Sequence, residues 1–209
     1  MARKGNVRDD LLEAAETLFA ERDLAGVSLR EIGAAAGATN SNAIQYHFGD
    51  RAGLVRAVVA RHDATVEARR HAVLDQLEAD GSPTLPALAG ALVRPLAAEL
   101  SEPGGGGYLR VLGELLNSPR PIIDWEKKAG PGSSIARWRR LVERHMDPEA
   151  VRRHRRFVCL RFAAAELARR SATPARRSDA RFVGELVDLV TGLLCAPIGR
   201  SEAAERPRS

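Results

Sequence analysis

Three polar side chains that are close together in the sequence, Asn42, Gln45 and Tyr46, have the chemistry to read DNA bases. Asparagine and glutamine can each form two hydrogen bonds with adenine, and a tyrosine can contact a phosphate oxygen or a thymine methyl group. If Ile44 and Phe48 turn inward, one helical turn apart, the three polar side chains lie on the free side of the helix. The pattern favours a short helix that enters the major groove, although amides on such a helix can also be solvated surface groups.

Basic and imidazole groups flank this segment. Arg51 stands at the expected start of the next helix, where exposed backbone N–H groups favour an anion, and we predict that it binds a phosphate. Arg3 and Lys4 form an arm before the first helix that can add affinity without sequence preference. His47 precedes Phe48 at the end of a helix, where its imidazole can either bond a free carbonyl or contact DNA.

The surrounding segment has the start and stop signals of a helix-turn-helix. Ser28 and Glu31 are spaced as a capping box, in which each side chain accepts a hydrogen bond from the other residue's backbone N–H. Gly37 is expected to end that helix, because glycine readily adopts the left-handed conformation common at helix ends. Residues 39–42 are all good capping types, so a further helix is predicted to begin among them and to run to about His47.

Apolar residues recur at helical spacing along nearly the whole chain, and no run alternates convincingly as a strand does. We therefore predict an all-α fold of about nine helices. The glycines at 104–107 are expected to separate two helices, and 118–134, rich in proline and glycine, to form a loop with at most one short turn. Besides the two short helices already described, the predicted helices cover approximately 7–22, 51–79, 85–100, 108–117, 135–145, 148–170 and 178–194.

The net charge of the 209-residue chain is +5, with a pI near 9.8, but the positive charge is unevenly placed. Residues 1–50 carry five basic and eight acidic side chains, so the segment that is expected to read DNA has a net charge of −3. From Arg137 to Arg181 there are 14 arginines and five acidic residues. Net charge therefore gives only weak support to nucleic-acid binding, and the motif gives the main support.

The composition is typical of a globular protein, with 44% apolar and 28% charged residues. No apolar run is long enough to cross a bilayer and the first residues lack a signal-peptide core, so we expect no membrane partner and a cytoplasmic location. Cys159 and Cys195 have no metal-ligand spacing, and both are expected to be small core residues.

The sequence has no pattern typical of a catalytic site. It shows no nucleophile–base pair, no paired carboxylates and no metal-ligand cluster, and the glycines at 104–107 lack the strand and helix of a nucleotide-binding loop. We therefore expect neither an enzyme nor a cofactor or metal ion. A protein-interaction module with an unused DNA face is the remaining alternative, because the acidic balance of residues 1–50 is unfavourable for DNA.

The stretch VSLREIGAAAGATNSNAIQYHFGDRAGLVRAVV closely resembles the N-terminal domain of the tetracycline-repressor (TetR) family of bacterial regulators. The specific pieces are SLREIGAAAG, IQYHF and GDRAGL, and the resemblance covers roughly residues 7–60. It implies a three-helix DNA-binding bundle with a helix-turn-helix at 1–52 and a larger helical domain at 53–198, followed by a polar tail at 199–209 that we expect to be disordered. The residues that we predict to contact double-stranded DNA are Arg30, Thr39, Asn40, Asn42, Gln45, Tyr46, His47 and Arg51.

The resemblance also implies a homodimer that binds a palindromic operator as a repressor and is released by a small-molecule effector. The last two long helices would form the dimer interface, although their wide apolar faces can equally be intramolecular core. The effector would bind within the larger domain, where aromatic side chains can line a pocket or simply pack. The candidates for the effector pocket are Tyr108, Trp125, Trp138 and Phe162.

Overall fold

The computed structural model describes residues 6–38, 42–120, 122–173 and 179–199, which form eleven α-helices and no β-strand. The all-α architecture expected from the sequence is therefore confirmed. The helices are α1 Val7–Glu21, α2 Leu29–Ala35, α3 Ala43–Phe48, α4 Arg51–Ala79, α5 Leu85–Ala97, α6 Gly105–Asn117, α7 Trp125–Lys128, α8 Ser134–Glu143, α9 Pro148–Arg152, α10 Arg155–Ser171 and α11 Asp179–Cys195.

Helix α4 connects the N-terminal bundle, formed by α1–α3, to the rest of the protein. Its first turns bury Leu54 and Val58, and the helix contacts α1 and α3 there. Its last turns are tied to α8, because Arg137 donates hydrogen bonds to Asp75 at 2.6 Å and to Glu78 at 2.8 Å. One continuous helix thus connects α1 and α3 of the N-terminal bundle to α8.

The hydrophobic core is continuous from α1 to α11. Helix α5 lies at its centre, packed by α4, α8, α10 and α11. Trp138, predicted from the sequence as a pocket residue, is instead buried in this core. Its indole N–H donates to the backbone carbonyl of Leu88 at 2.8 Å, which connects α8 to α5.

The structure differs from the sequence-based expectation at the glycine run before Tyr108. Helix α6 begins at Gly105, so the glycines form its first turn rather than a separator. A β-carbon at Gly105 would overlap the carbonyl of Glu99, and one at Gly107 would overlap that of Glu16. The glycines are therefore needed where α6 approaches two other backbone segments, and helical propensity alone does not reveal that requirement.

A second difference is a break within the helix predicted over 148–170. Residue His154 separates α9 from α10 and has φ 54°, in the left-handed region that residues other than glycine rarely adopt. The chain therefore changes direction at a position that carries no proline or glycine signal.

The two cysteines differ in environment. Cys159 is fully buried in α10, and burial raises the pKa of its thiol to about 11, so it is an unreactive core residue. Cys195 at the end of α11 is exposed, so the expectation that both thiols fill the core is wrong for this one. Among the described residues, no helix is both long and apolar enough to cross a membrane.

Candidate nucleic-acid interface and neighbouring cavity

The predicted capping box fixes the start of α2. The Ser28 hydroxyl accepts the Glu31 amide N–H at 3.2 Å, and the Glu31 carboxylate accepts the Ser28 amide N–H at 2.8 Å. The hydrogen bonds from Ser28, together with one from Arg22, lower the pKa of Glu31 to about 2, so the cap stays ionised at neutral pH. At the other end Gly37 has φ 64°, the left-handed conformation expected after the helix.

Helix α3 has one buried face and one free face. Ala43 and Ile44 are buried, and Phe48 is half-buried against the core with the Arg8 guanidinium 5.4 Å from its ring centre. The inward pair expected from the spacing is therefore present. Because these contacts fix the rotation of a helix of only six residues, they also fix which side chains face away from the protein.

The free face of α3 carries the predicted base-reading residues together. Tyr46 is 85% exposed, and Gln45 and Asn42 are also exposed. His47 is half-buried and meets the Tyr46 ring edge-on, with 5.0 Å between the ring centres. Arg30 is exposed on α2. The predicted contacts Thr39 and Asn40 lie outside the described residues.

Arg51, which is predicted to bind a phosphate, makes hydrogen bonds within the protein. Its guanidinium donates to the backbone carbonyl of Val27 at 2.5 Å and also to that of Leu24. These carbonyls belong to the connection between α1 and α2. The structure thus gives Arg51 the intramolecular role of fixing the start of α4, and its contact with phosphate stays a prediction.

A close backbone contact sets the angle between α3 and α4, and it can be tested at Gly53. A β-carbon there would overlap the carbonyl oxygen of Phe48 and lie 3.0 Å from its carbon. We expect Gly53→Ala to destabilise the protein by about 1–3 kcal/mol in urea unfolding. The control Gly33→Ala, in α2 with no atom within 4 Å of the new carbon, is expected to be neutral or stabilising. Equal stability of the two variants would contradict the contact.

A narrow cavity of about 70 Å³ lies beside α4, within the larger helical part. Tyr108 and Trp125 line it, whereas Trp138 and Phe162 do not. Phe157 on α10 is the third aromatic residue of the lining. It was not predicted as a pocket residue, because its residue type and its spacing in the sequence are those of an ordinary core aromatic. The charged lining residues are Asp63, Glu67, Arg70, Lys128 and Arg139.

Three of those charged residues lie on one face of α4. Asp63, Glu67 and Arg70 recur at helical spacing around buried Val66. Charges that interrupt an apolar helix face are an unusual pattern for a core helix. The spacing of these residues in the sequence is therefore a signal that could have indicated a polar cavity beside α4.

A buried ionic cluster joins the cavity wall to α1. The ring of His62 stacks on that of Tyr108, with 4.9 Å between centres. Its Nδ1 lies 2.6 Å from a carboxylate oxygen of Glu99, and its Nε2 lies 3.3 Å from one of Glu16. Burial alone lowers the pKa of His62, but the hydrogen bonds and charges of the two carboxylates outweigh it and raise the pKa to about 9. The imidazole is therefore protonated at neutral pH.

Helix α6 forms a second link between the cavity and the N-terminal bundle. One face carries Tyr108 at the cavity. Another face reaches the α1–α2 connection, where Glu114 accepts the Leu24 amide N–H at 3.0 Å and Arg110 pairs with Asp23 at 2.9 Å. Helix α6 therefore contacts both the cavity and the α1–α2 connection.

The described residues contain no group of three or more histidine, cysteine, aspartate or glutamate side chains placed to hold a metal ion.

Comparison with known proteins gives a match at the N-terminal end of the chain. Residues 11–58 match the family described as bacterial regulatory proteins, tetR family. No curated protein matches the chain.

Two solved structures are similar along most of the chain. One is a crystal structure of RolR in complex with the ligand resorcinol, with 20% identity over 93% of this chain and 95% of that chain and a TM-score of 0.47. The other is AlkX, a TetR family repressor from Dietzia sp. strain DQ12-45-1b implicated in biodegradation of n-alkanes, with 18% identity, 93% and 97% coverage and a TM-score of 0.37.

Proposed function

Because this chain belongs to the tetR family of bacterial regulatory proteins, we propose that it is a homodimeric repressor that binds a palindromic operator and is released by a small-molecule effector. DNA binding and transcriptional regulation follow from the family. The observation that carries the proposal is the free face of α3. Gln45 and Tyr46 are exposed on a short helix whose opposite face is held by Ile44 in the core.

The side chains of this face have distinct roles in the proposed complex. Asn42 and Gln45 read base edges, because amides can form paired hydrogen bonds with adenine. Tyr46, with His47 against its ring, contacts a phosphate or a thymine methyl group. The exposed cation of Arg30 on α2 contacts the phosphate backbone, which positions the protein without reading sequence. Thr39 and Asn40, which lie between α2 and α3 in the sequence, contribute further contacts, and Arg51 contributes one from the start of α4.

A dimer is needed because one short recognition helix reads only a few base pairs. Two copies related by a two-fold axis read two half-sites of a palindrome, which multiplies affinity and specificity. Large apolar side chains remain exposed on the last two long helices, with Val158 on α10 at 46% and Leu189 on α11 at 57%. This supports the proposal that these helices pair with the same helices of a second copy.

Release by an effector is supported by the two links from the cavity to the N-terminal bundle. A molecule that enters the cavity contacts Tyr108, which stacks on His62 and through it reaches Glu16 of α1. It also displaces α6, whose Glu114 holds the α1–α2 connection. An effector that favours a shifted α6 would therefore change the spacing of the two recognition helices and weaken operator binding.

Base preference tests the roles assigned to α3. Gln45→Ala is expected to lose about 1–3 kcal/mol of discrimination at one base-pair position per half-site, because the paired amide contact is removed. The control Arg30→Ala is expected to weaken all sequences about equally. Sequencing the duplexes that each variant retains from a random pool measures both effects. An even loss across sequences in both variants would contradict base reading by Gln45.

A further inference from the structure

The cavity carries hydrogen-bond donors that the described part of the protein does not satisfy. Arg70 is only 3% exposed, and its Nε has no hydrogen-bond partner among the described residues. The indole Nε1 atom of Trp125 is also buried and also has no hydrogen-bond partner among the described residues. A buried donor without an acceptor is costly, so its persistence at a cavity points to an acceptor supplied by a ligand.

A third donor group at the same cavity has no partner in the part of the chain that the structure describes. Arg139 on α8 makes no hydrogen bond or ion pair with any of the described residues, and the guanidinium of Arg156 is close enough to interact with it unfavourably. Arg70 has partial compensation, because its Nη1 donates to the Ser134 hydroxyl at 2.9 Å and lies 3.6 Å from Glu67. Neither contact provides a hydrogen-bond acceptor for its Nε.

The carboxylates that line the cavity already accept hydrogen bonds from other groups of the protein. Asp63 accepts the Tyr108 hydroxyl hydrogen at 3.0 Å and is paired with Lys128. Glu67 accepts both the backbone N–H of Ser134 at 2.7 Å and its hydroxyl hydrogen at 2.8 Å. Three cationic and two anionic side chains line the cavity, so its own charges leave one positive charge in excess.

The remaining wall is apolar and suits a hydrophobic body. Leu112, Phe157 and Leu160 are part of this lining. The cavity of about 70 Å³ is smaller than typical ligand pockets, so a ring-sized ligand must displace part of the wall. The shortest helix of the wall is α7, a four-residue helix that carries Trp125 and is tied to α4 through Lys128 and Asp63.

We propose that this cavity binds a small organic carboxylate with an apolar, ring-sized body, whose oxygens accept hydrogen bonds from Arg70, Arg139 and Trp125. The inference rests on the proposed function, because it names the chemical class of the effector. A carboxylate satisfies several donors at once and neutralises the excess charge, and hydrogen bonds between charged partners are the strongest of their kind. A neutral acceptor would satisfy a donor but leave the buried charge of Arg70 with only the partial compensation that Glu67 provides.

Titration calorimetry with matched ligand pairs tests the proposal on the full-length protein. The probes are benzoate, cyclohexanecarboxylate, phenylacetate and 2-naphthoate, each compared with its own carboxamide, which has nearly the same shape but no charge. At least one acid is expected to bind about tenfold to a hundredfold more tightly than its amide. The proposal is overturned if no acid binds, or if every amide binds as well as its acid.

Two variants then test which side chains cause the preference for the acid over the amide. Arg139→Gln is expected to reduce the acid-over-amide preference about tenfold, and Trp125→Phe, which keeps a ring but removes the N–H, by a few-fold. Both side chains are only half-buried, so these variants are expected to fold. The control is Arg140→Gln, an exposed arginine next along α8 that does not line the cavity. A preference that survives in both test variants, or is lost in the control, contradicts the assignment.

Operator binding by the same preparation separates this inference from the proposed function. If the protein retains a specific duplex but ignores every acid, the ligand class is wrong and the repressor proposal stands. If an acid binds selectively but never releases the duplex, the ligand class stands and effector release is wrong.

Discussion

Gly107→Ala is expected to destabilise the protein by about 3 kcal/mol, a large effect for the addition of one methyl group. The new β-carbon would overlap the carbonyl oxygen of Glu16 and lie 2.7 Å from its carbon. Both atoms belong to the backbone of α1, so no side chain can move aside and the two helices must separate. Urea unfolding followed by circular dichroism measures the loss directly.

The neighbouring glycine is the matched control. A β-carbon at Gly106 would lie 3.8 Å from that of Ala20 and 3.9 Å from that of Ser171, which is ordinary packing distance. Gly106→Ala should therefore be neutral or stabilise the helix by up to about 1 kcal/mol, since alanine favours helix more than glycine does. Similar effects at Gly106 and Gly107 would contradict the close approach of α1 and α6.

His62→Gln is expected to cost about 3 kcal/mol, because it leaves two buried carboxylates without their shared cation. Glu16 is 3% exposed and Glu99 is 1% exposed, so water cannot take over the role of the imidazolium. Arg61 at 3.6 Å from Glu16 and Arg69 at 2.7 Å from Glu99 remain, but both are partly exposed and lie at the edge of the cluster.

The same cluster predicts a dependence of stability on pH. The pKa of His62 is raised from 6.5 to about 9, so the folded state holds this proton more tightly than the unfolded state. The contribution of this protonated imidazole to the free energy of unfolding is complete below pH 6.5. As the pH rises to about 9, the free energy of unfolding falls by at most about 3 kcal/mol. Unfolding experiments across this range should show the decline in the natural protein and not in His62→Gln. The control is His71→Gln, on the same helix but half-exposed, which should keep the decline.

Local chemistry made part of this structure predictable from the sequence. The capping box of Ser28 and Glu31 depends on residues three positions apart, and α4 has the predicted bounds because a capping aspartate precedes it and a glycine–proline segment follows it. The buried Ile44 of α3 follows from helical periodicity alone. Such features depend on residues that are neighbours in the chain, so they can be predicted from the sequence alone.

Features that depend on distant segments were not predictable in this way. The start of α6 at Gly105 depends on the backbone of Glu99, and the hydrogen bonds of Arg51 depend on the α1–α2 connection. Likewise Trp125 lines the cavity while Trp138 is buried against α5, a difference set by tertiary packing that residue type alone does not reveal. The predicted contacts at Thr39 and Asn40 remain predictions, since they lie outside the described residues.

The central claim is that the free face of α3 reads a palindromic DNA sequence in a dimeric protein. The most direct measurement is an electrophoretic titration of the palindrome enriched from a random duplex pool, against a scrambled duplex of the same composition at the same moderate salt concentration. We expect two chains bound per palindrome and a preference of about a thousandfold or more over the scrambled duplex. Failure to enrich any sequence, or equal affinity for both duplexes, would contradict it.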